Sequence, residues 1–247
     1  MTRLPQAPPY GGVVFDCDST LASIEGIEEL ASDAAPELHA RIRELTALAM
    51  DGRLPLEDAY GARLEALRPN RAQVERIGDL YVERALPHGR ELVAALHFLG
   101  KHVAIVSGGL LGPVRALGAH FGITRSHIHA VDVHFSEAGE YAGFDATSPL
   151  ARAGGKLEVI GGLANRYAPL ALVGDGATDL EAAPVCARFI GFGGVEARPA
   201  ILRAADAVCL QADLAALVPL LCSPQEQARL AQHPEHAALV TAAQLLS

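Results

Sequence analysis

Short apolar runs, separated by helical segments and followed at once by small or acidic residues, constrain the fold of this chain more than any other feature. The three best runs are 12–15, which ends at Asp16, 103–106, which ends at Ser107-Gly108-Gly109, and 170–173, which ends at Gly174-Asp175-Gly176. Weaker runs occupy 189–190 and 207–209. Continuous apolar runs are typical of strands buried on both faces. The pattern predicts an α/β fold with a doubly wound, mainly parallel sheet.

The ends of these predicted strands are also where we expect function to lie. In doubly wound sheets, functional groups collect beyond the carboxyl ends of the strands. A separate hairpin is also predicted. Val131, Val133 and Phe135 alternate with other residues in its first strand, and after a possible turn Tyr141 belongs to the second strand.

A long segment without a convincing strand, residues 21–86, separates the first two predicted strands. It is far longer than the usual βα loop of about 2–6 residues, and we interpret it as a helical cap over the mouth of the sheet. Gly52 is expected to end its first helix and Pro55 to open the next. The apolar positions of the three expected helices are Leu38, Ile42, Leu45 and Ala49, then Leu56, Tyr60 and Leu67, then Val74, Ile77 and Tyr81.

These assignments divide the chain into three parts. We expect a catalytic α/β core over 12–20 and 87–222, with the cap over 21–86. The remainder, 223–247, is predicted to be a helical extension, because Ser223 and Glu226 fit a capping box that Pro224 can follow, and Pro234 divides it in two.

Charge and cysteine content restrict the function classes. The 20 Lys and Arg residues against 29 Asp and Glu give a net charge of −9, which argues against nucleic acid or an anionic membrane as partner. No apolar stretch of about 18 residues is present to span a bilayer, and the N-terminus lacks the apolar segment of a secretory signal. Four scattered cysteines without a C-x-x-C pair predict reduced thiols and a cytoplasmic location.

Two carboxylates follow the first predicted strand, in Asp16-Cys17-Asp18. They repel each other, and a hard cation such as Mg²⁺, which prefers oxygen ligands, would relieve that repulsion. An ordinary turn or helix cap is the alternative for these two residues.

The other predicted strand ends favour an anion. Ser107 offers a hydroxyl, and Gly108 offers an unhindered N–H group near the start of a helix that Pro113 can open. Lys156 is placed at a predicted helix N-terminus, where a cation opposes the helix dipole by roughly 0.3–1 kcal/mol unless it shares an anion with the helix. A solvated surface lysine is the alternative.

Four further residues are candidates for ligand binding, and two of them, Thr178 and Arg63, also have a purely structural interpretation. Asp175 lies between glycines that allow close backbone approach to a ligand. Thr178 belongs to the same segment, but with Glu181 it also fits a capping box as an N-cap. Arg63 falls in an apolar helical stripe, where it either extends to solvent or points between cap and core, with a fork suited to a carboxylate. Glu25 could match an ammonium group.

The order D-x-D-S-T, S-G-G, K and G-D-G-A-T-D resembles the four motifs of the haloacid dehalogenase-like phosphohydrolases. Over residues 12–222 the sequence is similar to the phosphoserine phosphatase family within that superfamily. The segments that carry this resemblance are 16–31, Met50-Asp51-Gly52 with Arg63, 107–109, 139–145, 154–156 and 174–194.

The resemblance implies a role for each matching residue. Asp16 would be the nucleophile and Asp18 the general acid and base. Mg²⁺ would be held by the Asp16 carboxylate, the Asp18 carbonyl and Asp175, with Asp179 in support. Ser107, Gly108 and Lys156 would bind the phosphoryl group, with Thr178 beside them in a position where many relatives carry Asn. Glu25 and Arg63 would bind the substrate ammonium and carboxylate.

The implied activity is Mg²⁺-dependent hydrolysis of O-phospho-L-serine to L-serine and phosphate, the last step of serine biosynthesis, with this small molecule as the partner. Phosphoryl transfer to an alcohol such as homoserine, or action on a related small metabolite, is the alternative. A catalytically silent binding protein is disfavoured, because Asp16, Asp18, Lys156 and Asp175 are all present.

Overall fold

The computed structural model describes residues 9–32, 34–50 and 53–246. Its strands are β1 (Gly12–Phe15), β2 (His102–Leu110), β3 (Ile128–Val131), β4 (Val133–Phe135), β5 (Tyr141–Phe144), β6 (Leu170–Gly174), β7 (Arg188–Phe192) and β8 (Ala207–Cys209). Its helices are α1 (Gly26–Leu30), α2 (Pro36–Met50), α3 (Leu56–Leu67), α4 (Arg71–Glu83), α5 (Gly89–Phe98), α6 (Leu111–Phe121), α7 (Gly155–Tyr167), α8 (Ala177–Ala182), α9 (Pro199–Ala204), α10 (Val218–Leu221), α11 (Pro224–Gln232) and α12 (Ala237–Leu245).

Six strands form one parallel sheet in the order β3-β2-β1-β6-β7-β8. The central strands are buried along their whole length, as their uninterrupted apolar sequence predicts. Phe15 at the end of β1 pairs with Ile105 on one side and Val173 on the other. The strand order reverses between β1 and β6, which makes their carboxyl ends the expected place for a ligand. The predicted α/β fold class is confirmed.

Two details of the sheet differ from the sequence prediction. Strand β2 does not stop at Val106 but continues to Leu110, so the predicted strand end lies within the strand itself. The assignment of Val131 to the hairpin was wrong, because Val131 pairs in parallel with Leu110 and ends β3. The alternation of apolar and polar residues continues across the boundary between β3 and β4. Only Val133 and Phe135, in β4, belong to the hairpin with β5.

Helices α1 to α4 lie between β1 and α5. The three predicted helices of this segment correspond to α2, α3 and α4, whereas the five-residue α1 was not predicted. The expected stop at Gly52 lies outside the described residues. Helix α4 packs closely on α6, since a Cβ atom on Gly78 would be 3.2 Å from that of Ala116. The division into core, cap and extension stays a prediction.

Two expectations from composition can be compared with the described residues. All four cysteines are free thiols, and only Cys186 is not fully buried. Among the helices in the described part of the chain, none combines the length and the hydrophobicity that crossing a bilayer would demand.

The end of the chain is helical, as its capping signals predict. Ser223 and Glu226 form a reciprocal capping box at the start of α11, Pro224 is its first residue, and Pro234 separates it from α12. Glu226 also accepts a hydrogen bond from Lys101 Nζ at 2.6 Å, and the same ammonium donates to the carbonyl of Tyr10 at 3.0 Å. Lys101 is only 4% exposed, so a buried charge connects the extension to the sheet.

We expect Lys101→Ala to lower the free energy of unfolding by about 3 kcal/mol, because removing one partner leaves the Glu226 carboxylate buried without its cation. Urea denaturation followed by circular dichroism measures this change. Arg84→Ala is the control, since Arg84 forms an exposed pair with Glu83 at 3.8 Å that is worth about 0–1 kcal/mol. Equal effects of the two substitutions would contradict the stabilising role of the buried contact.

Candidate active site

The candidate site lies where the strand order reverses. Asp16 follows β1 directly, and its N–H donates to the carbonyl of Val173 in β6 at 2.9 Å. Asp175 follows β6 and accepts a hydrogen bond from Thr20 Oγ1 at 3.3 Å. The loops after two adjacent parallel strands are therefore joined by hydrogen bonds, and they bring both carboxylates to the same edge of the sheet.

Three buried carboxylates converge at this edge. Oxygen atoms of Asp16, Asp175 and Asp179 lie within 4.8 Å of one another. Lys156 Nζ is 2.8 Å from Asp16 Oδ1 and 2.7 Å from Asp179 Oδ1. Burial and the neighbouring Asp16 raise the pKa of Asp179, although Lys156 opposes this. Such a cluster favours a further cation, and its oxygen ligands suit a hard ion such as Mg²⁺.

Lys156 is the second residue of α7 and is buried, so the alternative of a solvated surface lysine was wrong. Burial disfavours its charged form, but Asp16 and Asp179 outweigh this and raise the pKa of Lys156 above its ordinary value. The ammonium therefore stays charged and holds together carboxylates from two different segments.

Arg198 supplies a second cation that the sequence did not reveal. Its guanidinium contacts Asp175, and its Nη2 atom is 3.8 Å from Glu25 Oε1. The residue precedes α9, far along the chain from both carboxylates. No periodicity or motif spacing marks it, so only the tertiary structure identifies it as part of the site.

The Asp18 side chain points to α1 and α4 instead of the carboxylate cluster. Its Oδ1 atom accepts a hydrogen bond from the Gly26 N–H at 2.7 Å and another from the Tyr81 hydroxyl. Burial raises the pKa of Asp18 to about 6, even though these two donors lower it. Asp18 can therefore carry a proton close to neutral pH. Tyr81, which resembled an ordinary core residue in the sequence, is the side chain that orients it.

A second group of polar residues lies in the last part of β2. The Ser107 hydroxyl accepts a hydrogen bond from the Gly109 N–H at 2.9 Å, which holds the serine side chain in place. Helix α6 begins at Leu111, two residues before the expected Pro113. Lys156 lies in the first turn of α7. Gly155 before it packs so closely on Pro149 that a side chain there would overlap the Pro149 carbonyl.

The alternative interpretation of Thr178 as an N-cap was wrong. Helix α8 begins at Ala177, and its N-cap is Gly176, whose N–H donates to Asp179 Oδ2 at 3.1 Å. Glu181 instead accepts a hydrogen bond from the Gly154 N–H at 3.2 Å. The aspartate three residues after Gly176 therefore supplies the capping contact, and Thr178 lies in the first turn.

Glu25 and Arg63 enter the site from the helical segment. Glu25 accepts a hydrogen bond from the Ser19 hydroxyl at 2.8 Å, and burial together with Asp18 raises its pKa to about 8. Arg63 is only 2% exposed, so extension into solvent is wrong for this residue. Its Nε donates to the carbonyl of Ala59 and its Nη1 to Thr46 Oγ1, both neutral acceptors.

One pocket brings the predicted residues together. All of them except Asp179, which is buried and in contact with Lys156, contribute to its wall. The lining residues are Asp16, Asp18, Glu25, Ile27, Arg63, Ser107, Gly108, Gly109, Leu150, Arg152, Lys156, Asp175 and Thr178. The pocket therefore combines a carboxylate cluster, a lysine, a serine–glycine segment and an acid–base pair.

The chain matches the family model of the haloacid dehalogenase-like hydrolases over residues 13–184. The chain belongs to this family. It is 42% identical to the phosphoserine phosphatase of Rattus norvegicus over 184 residues, which are 74% of this chain and 81% of the relative. This confirms the predicted resemblance to the phosphoserine phosphatases.

Two solved structures share the fold of this chain. A phosphoserine phosphatase determined as a phospho-aspartyl intermediate analogue superposes with a TM-score of 0.72 at 25% identity, over 85% of this chain and 98% of that protein. A phosphoserine phosphohydrolase-like protein from Francisella tularensis gives 0.76 at 24% identity, over 84% and 99% of the two chains.

We expect Tyr81→Phe to raise the pKa of Asp18 above about 6, because the lost hydroxyl donates to the ionised carboxylate and stabilises it. Carboxyl ¹³C chemical shifts recorded through a pH titration measure this value. Tyr60→Phe is the matched control, because the buried Tyr60 hydroxyl has no hydrogen-bond partner among the described residues. An unchanged or lower Asp18 pKa in Tyr81→Phe would contradict the assignment.

Proposed function

We propose that this chain is a Mg²⁺-dependent phosphatase that hydrolyses O-phospho-L-serine to L-serine and phosphate, the last step of serine biosynthesis. The observation that carries the proposal is the single pocket in which the Asp16 carboxylate, the Lys156 ammonium and the Glu25–Arg63 pair meet. Relatives named phosphoserine phosphatase, about 40% identical over most of their length, support the same activity.

The first half-reaction is a displacement at phosphorus. An Asp16 oxygen forms a bond to phosphorus while the bond from phosphorus to the seryl oxygen breaks. Asp18 donates its proton to that oxygen, which leaves as the hydroxyl of serine. Phosphate-monoester hydrolysis is among the slowest uncatalysed reactions, with enzymatic accelerations of up to about 10²¹, and covalent catalysis divides it into two easier steps.

The second half-reaction returns the enzyme to its starting state. Asp18, now ionised, takes a proton from a water molecule as the water oxygen attacks phosphorus. The bond from phosphorus to Asp16 breaks, and inorganic phosphate is released. A carboxyl group with a pKa of about 6 suits both directions of transfer near neutral pH.

Positive charge is needed because a carboxylate and a phosphate repel each other. Lys156, already in contact with Asp16 at 2.8 Å, would contact the phosphoryl oxygens together with Ser107 and the Gly108 N–H. The Asp16 and Asp175 carboxylates and the Asp18 carbonyl would hold Mg²⁺, with Asp179 in support, and the convergence of the three carboxylates fits such an ion. Bound there, Mg²⁺ neutralises charge on the transferring group.

The acid–base pair gives the amino-acid specificity. The buried Arg63 guanidinium would bind the substrate carboxylate as a planar fork. Glu25 would bind the ammonium group of the substrate. Burial raises the pKa of Glu25 to about 8, and the nearby ammonium charge would favour the ionised form of this carboxyl group. Substrate binding would then release a proton from Glu25. Thr178 would border the phosphoryl group from the first turn of α8.

The chain division follows from this assignment. We assign 12–20 and 87–222 to the catalytic core, 21–86 to a cap and 223–247 to a helical extension. Arg63 belongs to the cap and Lys156 to the core, so closure of the cap would align substrate and exclude water from the first half-reaction. The free thiols support a cytoplasmic location.

Purified protein with Mg²⁺ is expected to release phosphate from O-phospho-L-serine, and removal of Mg²⁺ by EDTA is expected to stop this release.

Asp16→Asn should lower kcat by about 10⁴-fold or more and abolish phosphate attachment to the protein, measured by mass spectrometry after acid quenching. Asp79→Asn, at an exposed position, is the control. If phosphoserine stayed intact while sugar phosphates were hydrolysed rapidly, the proposed substrate would be wrong. Formation of phosphohomoserine in the presence of homoserine would favour the alternative function, phosphoryl transfer to an alcohol.

We expect Arg63→Ala to raise KM for O-phospho-L-serine by about 10- to 100-fold, because the substrate carboxylate loses a charged hydrogen-bond partner. Steady-state kinetics with O-phosphoethanolamine, which lacks that carboxylate, should change little. Arg43→Ala controls for charge alone, because the Arg43 side chain is 68% exposed. Equal losses on both substrates would count against a role for Arg63 in carboxylate binding.

A further inference from the structure

The connection between α11 and α12 carries a second cluster of metal-ligating side chains, away from the pocket described above. Its members are His233, Glu235 and His236, each of which offers one ligand atom, and these atoms lie within 4.8 Å of one another. The cluster lies in the extension, beyond residues 13–184 that match the hydrolase family.

The short segment is held in a defined shape. The His233 N–H donates to the carbonyl of Leu230 at 3.1 Å, and the His236 N–H donates to that of His233 at 3.0 Å. Pro234 restricts the backbone between them. The two histidine rings stack with centroids 4.8 Å apart, and Phe98 of α5 contacts both, at 4.5 Å and 4.9 Å.

One ring nitrogen in this cluster has no partner. His233 Nδ1 is buried from solvent and makes no hydrogen bond within the described part of the chain. His236 beside it is only 5% exposed. A buried nitrogen without a hydrogen-bond partner is unfavourable, and a bound ion would supply that partner.

We propose that His233, Glu235 and His236 form a binding site for a divalent transition-metal ion, with Zn²⁺ the best match. Two imidazoles and one carboxylate are a common zinc ligand set, and they leave one coordination position open. Imidazole nitrogen favours Zn²⁺ over Mg²⁺, whereas the all-oxygen cluster of Asp16, Asp175 and Asp179 favours Mg²⁺. The two sites therefore differ in chemistry as well as in position.

The bound ion would stabilise the extension. His233 and Glu235 belong to the connection and His236 immediately precedes α12, so a common ion fixes the angle between α11 and α12. Because Phe98 packs on both histidine rings, the ion would also hold the extension against α5. The site does not take part in the hydrolysis proposed above.

Titration with Co²⁺ and Zn²⁺ in saturating Mg²⁺ tests the site. Histidine-ligated tetrahedral Co²⁺ absorbs strongly in the visible, whereas Co²⁺ in an oxygen cluster absorbs weakly, so the spectrum separates the two sites. We expect one equivalent of strongly absorbing Co²⁺, displaced by Zn²⁺. His236→Ala should weaken Zn²⁺ binding by about 100-fold or more in calorimetry, and the exposed Glu235→Gln, which leaves packing intact, by about tenfold.

His134→Ala is the matched control, because His134 is exposed and distant in sequence from the cluster. It should bind Zn²⁺ as the wild type does. Wild-type protein without the strong Co²⁺ bands, or His236→Ala and Glu235→Gln with unchanged Zn²⁺ affinity and stoichiometry, would overturn the proposal.

Discussion

The rest of the site depends on the buried ion pairs that the Lys156 ammonium forms with Asp16 and Asp179. The ammonium contacts Asp16 after β1 and Asp179 in α8 at less than 3 Å, so it joins the two sides of the reversal in strand order. Without that charge the carboxylates would repel one another in a buried environment, and breaking such a contact costs about 3–5 kcal/mol. The proposed phosphoryl site is therefore built on ion pairs that are present without a ligand.

The sheet and the helical segment contribute different parts of the chemistry. Parallel strands place Asp16, Ser107 and Asp175 at one edge, because their carboxyl ends all face the same way. The inserted helices supply Arg63 and the Tyr81 hydroxyl that orients Asp18. In the proposed mechanism, the side chains that recognise the amino-acid part of the substrate come from the helical segment, and those that act on phosphorus come from the sheet.

The sheet and most of the site could be predicted, because buried parallel strands have continuous apolar sequences and their ends carry the polar residues. Strand β3 was missed because its last residue, Val131, continues the alternation of the following hairpin. The role of Tyr81 was hidden because an aromatic residue in an apolar helical stripe resembles core. Arg198 was missed because its contact with Asp175 joins segments that share no pattern. The roles assigned to the site residues stay predictions.

The two hydrogen bonds received by Asp18 also decide which of its oxygens can hold a proton. Oδ1 already accepts from the Gly26 N–H and from Tyr81, so a third hydrogen there would be crowded. When Asp18 is protonated, Oδ2 is therefore the less crowded oxygen for its hydrogen. This oxygen faces strand β2, where a Cβ atom on Gly109 would be 3.0 Å from it. In the proposed mechanism, this one oxygen would both deliver and recover the proton, without rotation of the carboxyl group between the two events.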